Sequence, residues 1–473
     1  MKFPRVRMLF VWVVAMVGLC WSAVCTAENG QSVVVPLGCQ APHPMRGKST
    51  RGFPETVRVI HRTTGGFWSR VRVWIGLGDN HASIERVGVV SELKGGITAL
   101  GLYYLTAKFG GQSMNLLVDT GSAVTAVPMQ QCQTGCPSGG NRYSRENSTS
   151  GVAHAVSCLS TRCKTQTCQS STCGACSAAG QCCAGGSTKS CGFQLSYLDG
   201  SFAQGALQVD TVELAPGVGT KTVFGGILAE SENFGNPPVD GILGLAYKGI
   251  SCSPSCVPPV FDSYVKRGVV GKDTFTICME ESSGALILGD YNSSLGNSPI
   301  QWTPEIPVSG EKTFYLVDLG GGIDIGSERI PLPDFKVGVL DTGTTLIIMT
   351  DAAFQALASY LREYNCEIPF LCQNPTWFAP VSCIALSDSE LERLPVLTFS
   401  LGSVKVDVSP FDYMIKYTYQ GVLYRCVGIQ TFPSLGSIDV ILGEAFMQSH
   451  VIVHDREQNR IGIQKRTRSC SSY

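Results

Sequence analysis

Two copies of the tripeptide Asp-Thr-Gly are the residues of this 473-residue chain that are best placed to do chemistry. The copies occupy positions 119–121 and 341–343, and an apolar run precedes each of them. Two carboxyl groups held a few ångström apart do not ionise together easily, so one of them keeps a proton. Asp119 and Asp341 therefore offer a base that can activate a water molecule and an acid that can protonate a carbonyl or an amine.

A second repeated feature indicates how the chain would bring the two aspartates together. Each tripeptide is followed at long range by an apolar segment that ends in glycine, at 241–244 and at 440–443. The repeat predicts two copies of one β-rich lobe, related by a pseudo-twofold axis. A single Asp-Thr-Gly is also a common turn at the end of a strand. Turn chemistry does not predict a second copy, which favours a pair of cooperating carboxylates.

Six residues next to the aspartates are expected to support them. Glycine after each Asp-Thr lets the two backbones approach closely. The next hydroxyl can hydrogen-bond to the carboxylate, and the two threonines can brace one loop against the other. These supporting residues are Thr120, Gly121, Ser122, Thr342, Gly343 and Thr344.

From about residue 101 to residue 463 the chain resembles the pepsin family of aspartic endopeptidases. Besides the two tripeptides, the resemblance rests on segments 197–201, 205–212, 240–247 and 453–462. It implies an all-β fold of two homologous lobes with a cleft between them, and peptide hydrolysis without a cofactor or a metal. Aspartic proteases are the known example of two carboxyl groups sharing a proton.

The resemblance also implies that Tyr197 and Gly200 lie on a hairpin flap that closes over the substrate. Taken alone, Tyr197 would be a partly buried strand tyrosine; its position before Asp-Gly-Ser favours the flap. Many family members have a tryptophan that holds this tyrosine, and here that position is Ala126. The turn before the first aspartate is Gly110-Gly111-Gln112, without the usual prolines. We therefore expect a freer flap and an uncertain cleavage preference.

The cysteines indicate an oxidising compartment. Of 21 cysteines, ten lie between Cys132 and Cys191. An even number after residue 99 predicts disulfides, although the spacing of Cys173 and Cys176 also suits zinc. The connectivity of the ten stays open. The 132–191 segment is similar to a nepenthesin-type insertion.

Outside the insertion the chain is similar to the β-secretase branch. This resemblance implies two long-range disulfides and leaves two local loops. The pairs are Cys383–Cys426, Cys278–Cys470, Cys366–Cys372 and Cys252–Cys256.

Four segments make up the predicted domain organisation. Residues 1–27 carry a basic start, an apolar run and a small-residue site, as in a secretory signal peptide; a retained signal anchor is the alternative. Residues 28–98 are predicted to be a propeptide that matures between Gly95 and Leu102. The N-terminal lobe is placed at 99–300 and the C-terminal lobe at 301–473.

Charge supports an inhibitory leader. Residues 28–98 carry nine basic and five acidic groups, whereas 99–473 carry 24 basic and 32 acidic groups. A basic leader is expected to attract the acidic body near neutral pH and release it in acid. The whole chain has a formal net charge of −1, which disfavours nucleic-acid partners.

These observations predict an aspartic endopeptidase made as a zymogen. We expect it to be a monomer that takes peptide or protein substrates and is secreted or lumenal, with an acidic vacuole-like compartment as one option. Asn147 and Asn292 are glycosylation acceptors in their sequons. The alternatives are a catalytically silent pepsin-fold binding or inhibitor protein and a membrane-anchored processing enzyme of the early secretory pathway.

Overall fold

The computed structural model describes most of the chain after residue 87. It covers residues 88–473 except 99–100, 138, 161–162, 164–174, 177–181, 184–189, 233, 235–237, 252–256, 309, 369–370, 375 and 434–435. It also describes three strands near the amino terminus that pair as an antiparallel sheet: β1 (Arg7–Phe10), β2 (Trp21–Thr26) and β3 (Ser32–Leu37). Most of the predicted signal peptide and leader lies outside the described residues, so their boundaries stay predictions.

Six strands of the first lobe close into a barrel, because the long strand from Phe202 to Ala215 pairs back onto the strand from Leu102 to Phe109. The strands are β5 (Leu102–Phe109), β6 (Gln112–Asp119), β7 (Ala126–Pro128), β12 (Phe202–Ala215), β13 (Val218–Glu230) and β14 (Gly241–Gly244). The last four residues of β6 and all of β14 are buried, as expected of strands covered on both faces. The barrel core includes edge-to-face contacts of Phe224 with Phe109 and Tyr143.

The cysteine-rich insertion lies against this barrel and leads into a hairpin. Its short strands are β8 (His154–Ala155), β9 (Ala175–Cys176) and β10 (Cys182–Cys183), and β11 (Gly192–Ser196) then pairs with β12. Three disulfides lie within the described part of the insertion: Cys132–Cys136, Cys158–Cys183 and Cys163–Cys191.

A central sheet joins the two halves of the chain. Its strands are β4 (Val89–Gly96), β15 (Thr274–Met279), β16 (Ser283–Leu288), β17 (Gln301–Pro304), β30 (His450–Asp455) and β31 (Arg460–Lys465). Cys278 on β15 forms a disulfide with Cys470, which ties the end of the chain to this sheet. Strands from the first lobe, from the last residues and from before residue 97 therefore share one layer.

The second lobe is built from three further sheets. One contains β18 (Leu316–Asp318), β21 (Val337–Leu340), β22 (Ile347–Met349), β28 (Ile429–Thr431) and β29 (Val440–Leu442). The second contains β19 (Gly322–Ile325), β20 (Glu328–Pro331), β24 (Leu397–Leu401) and β25 (Val404–Val408). The third contains β23 (Cys383–Ile384), β26 (Met414–Tyr419) and β27 (Val422–Val427), and a Cys383–Cys426 disulfide crosses it.

In the described part of the chain, helices are few, and all but one of them have seven residues or fewer. The α-helices are α1 (Val260–Lys266), α2 (Asp351–Tyr364), α3 (Asp388–Leu391), α4 (Pro410–Tyr413) and α5 (Glu444–Met447), and the 3₁₀ helices are Lys248–Ile250, Ser293–Leu295 and Cys470–Ser472. The Thr350 hydroxyl accepts from the Ala353 N–H and caps α2, which buries one side against the second lobe. A local Cys366–Cys372 disulfide follows this helix. The predicted Cys252–Cys256 loop lies outside the described residues.

The predicted all-β, two-lobe fold is confirmed. Each repeated pair of segments adopts the same arrangement, because β6 pairs in parallel with β14 and β21 pairs in parallel with β29. The repeat in the sequence is thus a repeat of supersecondary structure, and each copy of Asp-Thr-Gly stands at the end of the first strand of its pair.

Candidate active site

Parallel strand pairs fix where the two aspartates leave their sheets. Asp119 is the last residue of β6 and is paired with Gly244, while Asp341 directly follows β21 and donates its N–H to the carbonyl of Leu442 at 3.2 Å. Gly443 must lack a side chain, because a Cβ there would lie 2.3 Å from the carbonyl oxygen of Thr344. Gly244 and Gly443 therefore allow the loop that follows each aspartate to pack directly over them.

The two loops face each other across the boundary between the lobes. A Cβ on Gly121 would lie 2.5 Å from the carboxyl carbon of Asp341, and a Cβ on Gly343 would lie 2.5 Å from Oδ1 of Asp119. Each glycine of the tripeptide thus makes room for the aspartate of the other lobe. The structure brings together the two carboxylates that the sequence analysis paired.

Each carboxylate accepts the same two kinds of hydrogen bond. The N–H of Gly121 donates to Oδ1 of Asp119 at 2.7 Å, and the N–H of Gly343 donates to Oδ1 of Asp341 at 2.8 Å. The Ser122 hydroxyl donates to Oδ2 of Asp119, and the Thr344 hydroxyl donates to Oδ2 of Asp341 at 2.7 Å. Two donors on each carboxylate fix its plane.

Thr120 and Thr342 lock the loops together with a reciprocal set of bonds. Each threonine hydroxyl accepts the backbone N–H of the other threonine at 3.0 Å. Each hydroxyl also donates to a carbonyl of the opposite lobe, Thr120 to Leu340 at 2.9 Å and Thr342 to Val118 at 2.7 Å. Both side chains are fully buried, so the four bonds hold the aspartates at a fixed separation.

Electrostatics agree with a shared proton. Burial raises the pKa of Asp119 well above its usual range, and the neighbouring charge of Asp341 raises it further. The hydroxyl of Ser122 partly offsets this by stabilising the ionised form of Asp119. The pair therefore retains one proton at pH values where a solvent-exposed aspartate has lost it.

Tyr197 lies at the turn of the hairpin formed by β11 and β12. The turn is closed by the N–H of Tyr197 donating to the carbonyl of Ser201 at 3.0 Å, and Gly200 has a φ of 81°, which favours glycine. Burial raises the pKa of the Tyr197 phenol well above its usual range, and the charge of Asp119 raises it further. The hydroxyl of Tyr197 thus lies near Asp119 and Asp341, while Leu198 at the tip is 60% exposed.

Ala126, which stands where many family members have a tryptophan, does not hold Tyr197. Ala126 is fully buried in β7 and its methyl group has no hydrogen-bonding atom to offer. Tyr197 instead packs on Phe234, with ring centroids 5.9 Å apart. Phe234 was not singled out from the sequence.

Glu444 is a second residue that the sequence analysis missed. It is fully buried at the start of α5, and its N–H donates to the carbonyl of Thr344 at 2.8 Å. Burial raises the pKa of its carboxyl well above the usual range, the charge of Asp341 adds to the rise, and the nearby backbone of Tyr103 opposes it. One signal was available: the first copy has Leu245 after its glycine, whereas the second has an acid.

The two predicted glycosylation acceptors lie in different surroundings. Asn147 is exposed, whereas Asn292 is half-buried and its side chain accepts the N–H of Ser294 at 2.9 Å. Within the described part of the chain, no cluster of three or more His, Cys, Asp or Glu side chains is arranged to hold a metal. None of the helices described is long and apolar enough to cross a membrane.

Comparisons with known proteins agree with this geometry. The eukaryotic aspartyl protease family matches residues 103–466. The chain is 27% identical to pepsin A of Bos taurus over 371 residues, which is 76% of this chain and 83% of that protein. It is 30% identical to pepsin II-1 of Oryctolagus cuniculus over 275 residues, 57% of this chain and 65% of that protein. The chain therefore belongs to the eukaryotic aspartyl protease family and is a pepsin-type aspartic endopeptidase.

Proposed function

We propose that Asp119 and Asp341 form the catalytic dyad of this endopeptidase. The observation that carries the proposal is the symmetric exchange at the lobe boundary, in which the glycine after each aspartate makes room for the aspartate of the other lobe. A turn with a purely local role would not need a partner from 222 residues away.

The geometry supports direct attack by water. The ionised member of the pair takes a proton from a water molecule, whose oxygen bonds to the carbonyl carbon of the peptide, while the protonated member gives its proton to the carbonyl oxygen. Proton transfer to the amide nitrogen then lets the carbon–nitrogen bond break, which releases one carboxyl and one amino product. Ser122 and Thr344 act as positioning residues, because each hydroxyl holds the outer oxygen of its own carboxylate.

Tyr197 and Gly200 are proposed to close the site as a flap. The Tyr197 hydroxyl is buried near the dyad while its hairpin projects an exposed Leu198. Gly200 allows the tight turn that places the tyrosine. Substrate must therefore displace or lift this hairpin to reach the aspartates.

Substitution of each aspartate tests the dyad. Asp119→Asn and Asp341→Asn should each abolish cleavage of a peptide library at every pH, because a neutral amide cannot act as the base. Asp407→Asn, on the exposed face of the second lobe, is the matched control and should cleave normally. A thermal unfolding curve for each variant checks that the protein is folded. Turnover by either dyad variant would remove that aspartate from the mechanism, and inactive wild-type protein that still binds peptides would favour the silent alternative.

We further propose that the enzyme is a monomeric secretory zymogen with residues 28–98 as its own inhibitor. The oxidised Cys278, Cys383 and Cys426 suit a secretory compartment, and both Asn147 and Asn292 stay proposed glycosylation acceptors. A basic leader paired with carboxylates depresses their pKa, so the stabilisation exists above their unpaired values, about 4, and is lost as the pH falls below them.

We call this charge pairing between the leader and the body the latch. It is tested on a chain that starts at residue 28. As the pH is stepped down from neutral, the leader should be released and peptidase activity should appear at the same pH. High salt should weaken the latch, because exposed charges are screened beyond about 8–10 Å. Full activity at neutral pH with the leader attached would contradict the latch and favour a processing enzyme of the early secretory pathway.

A further inference from the structure

Strand β4, from Val89 to Gly96, lies inside the predicted leader and inside the sheet. One of its edges pairs with β16, from Val89 opposite Leu288 to Lys94 opposite Ser283. The other edge pairs with β5, where Gly96 lies opposite Leu102. The strand is therefore interior to the layer and joins the barrel of the first lobe to the central sheet.

Side chains of β4 complete the core on one face. Val89, Ser91 and Leu93 are buried, whereas Glu92 and Lys94 point to solvent, the alternation of a strand with one buried face. The Ser91 hydroxyl donates to the carbonyl of Leu214 on β12 at 2.6 Å. Without β4, the backbone of β16 and β5 would lose partners and the core beneath Leu93 would open.

The segment around the predicted maturation site is held tightly where it is described. Gly96 has a φ of 134°, and a Cβ on it would lie 2.1 Å from the carbonyl oxygen of Glu281. The N–H of Gly101 donates to the carbonyl of Gly96 at 3.1 Å, and the Thr345 hydroxyl donates to the carbonyl of Gly101 at 2.5 Å. Ile97 between them is buried. Proteases cut accessible chain that can extend into their clefts, which Gly96, Ile97 and Gly101 do not provide.

Gly88 also packs against the folded body. A Cβ at this position would lie 2.7 Å from the Cβ of Asp290, which follows β16. Among the described residues that lead into β4, tight packing is thus already present at Gly88.

We propose that maturation hydrolyses a peptide bond on the amino-terminal side of Gly88, so that β4 stays covalently in the mature enzyme. The cut consumes one water, leaves a carboxylate on the released leader and creates the amino terminus of the enzyme. The inference rests on the proposed function in assuming that a leader is removed. It moves the maturation site upstream of the expected interval between Gly95 and Leu102.

The natural amino terminus is the first test. The full chain is expressed in a secretory host, allowed to mature, and the active species is isolated and sequenced from its amino terminus. We expect a terminus at Gly88 or upstream. An active species that begins between residues 95 and 102 would overturn the proposal. A full chain that is active and never cut would instead contradict the zymogen, not the role of β4.

Two engineered full-length chains test β4 without relying on natural processing. One carries a recognition sequence for a site-specific protease directly before Gly88, and the matched control carries it between Gly96 and Gly101. After cutting and a wash in mild denaturant, the first should keep its Tm, whereas the second should lose the β4 peptide and at least ~5 °C of Tm. Equal Tm values after release of the peptide would overturn the proposal, and this readout holds even if the protein has no peptidase activity.

Discussion

The hydroxyl oxygens of Thr120 and Thr342 each accept the other residue's backbone N–H at 3.0 Å, which makes the contact between the lobes symmetric. The same hydroxyls donate to the Leu340 and Val118 carbonyls. The two hydroxyls, the two backbone N–H groups and the two carbonyls of this network thus all have partners within it. The rigidity of the aspartate pair therefore depends on two threonines that are fully buried.

Valine in place of either threonine should destabilise the enzyme. The change keeps the shape of the side chain but leaves a buried N–H and a buried carbonyl unpaired, at a cost of about 1–3 kcal/mol for each group. Denaturant titration of Thr120→Val, Thr342→Val and the double variant measures the loss. Because both residues belong to one network, the double variant should lose less than the sum of the singles. Thr106→Val, on an exposed position of β5, is the control; strict additivity at 120 and 342 would contradict the coupling.

Alanine at Gly121 or Gly343 should impair catalysis more than stability. The added Cβ would lie 2.5 Å from the opposite aspartate and must push it aside. A shift of about 1 Å in a catalytic group can cost roughly 100-fold in rate, so we expect kcat to fall by about that factor. Gly217→Ala lies in an exposed turn where a Cβ meets nothing within 4 Å; its φ of 73° should cost some stability but leave kcat unchanged. Steady-state kinetics on one peptide measure kcat for each variant. An unchanged kcat for both Gly121→Ala and Gly343→Ala would show that the loops adjust freely.

Stability should depend on pH through buried groups of opposite type, whose contributions oppose each other between about pH 4.3 and pH 6.5. Burial lowers the pKa of His454 to about 3 and of His450 to about 4. These histidines are neutral in the fold, so the unfolded chain binds more protons and stability falls as the pH drops below about 6.5. Burial raises the pKa of Glu230 to about 7 against a partial opposing effect of Arg142. The fold then binds the extra proton, and the contribution of Glu230 to stability falls as the pH rises from about 4.3 to about 7.

Two variants separate these slopes. His454 stacks on Phe275 with ring centroids 4.4 Å apart, and neither ring nitrogen has a partner among the described residues. His454→Phe should flatten the acid slope by about 1.4 kcal/mol per pH unit, and Glu230→Gln should flatten the slope toward neutrality by a similar amount. Urea titrations between pH 3.5 and 8 give the slope of the unfolding free energy against pH for each protein. Slopes are compared, not absolute stabilities, because the substitutions also change packing. Unaltered slopes in both variants would mean that these groups titrate normally.

Removal of single disulfides should destabilise the protein in the order of the loops that they close. The separations are 192 residues for Cys278–Cys470, 28 for Cys163–Cys191 and 6 for Cys366–Cys372. Chain entropy alone gives losses of about 5, 3.5 and 2 kcal/mol for paired serine substitutions. Thermal unfolding of the three double-serine variants ranks them. A larger loss for the six-residue loop than for the longest one would show that local packing around the disulfide outweighs chain entropy.

The meeting of the two Asp-Thr-Gly loops could be predicted because the same local sequence occurs twice. Asp119 and Asp341 each sit at the end of an apolar strand, so one lobe is a template for the other. Partners in the insertion could not be predicted, since cysteine spacing alone does not choose between Cys158–Cys183 and the many other pairings.

Buried ionisable groups escaped prediction for a different reason. His454 lies in an apolar strand that reads as buried, but its isolation depends on Phe275 and Tyr315 from distant segments. Strand β4 has the alternation of a strand, yet its sequence does not say that both edges are paired. Only the tertiary fold reveals what covers such residues.

The central sheet imposes an order on biosynthesis. Thr274 of β15 hydrogen-bonds to Asp455 of β30, 181 residues further along the chain. While the ribosome makes the second lobe, β15 must wait with one edge open, a state that invites pairing with other chains. The growing polypeptide would therefore need shielding by chaperones until β30 arrives, and a ribosome that stalls within the second lobe would release a half-made sheet prone to aggregation.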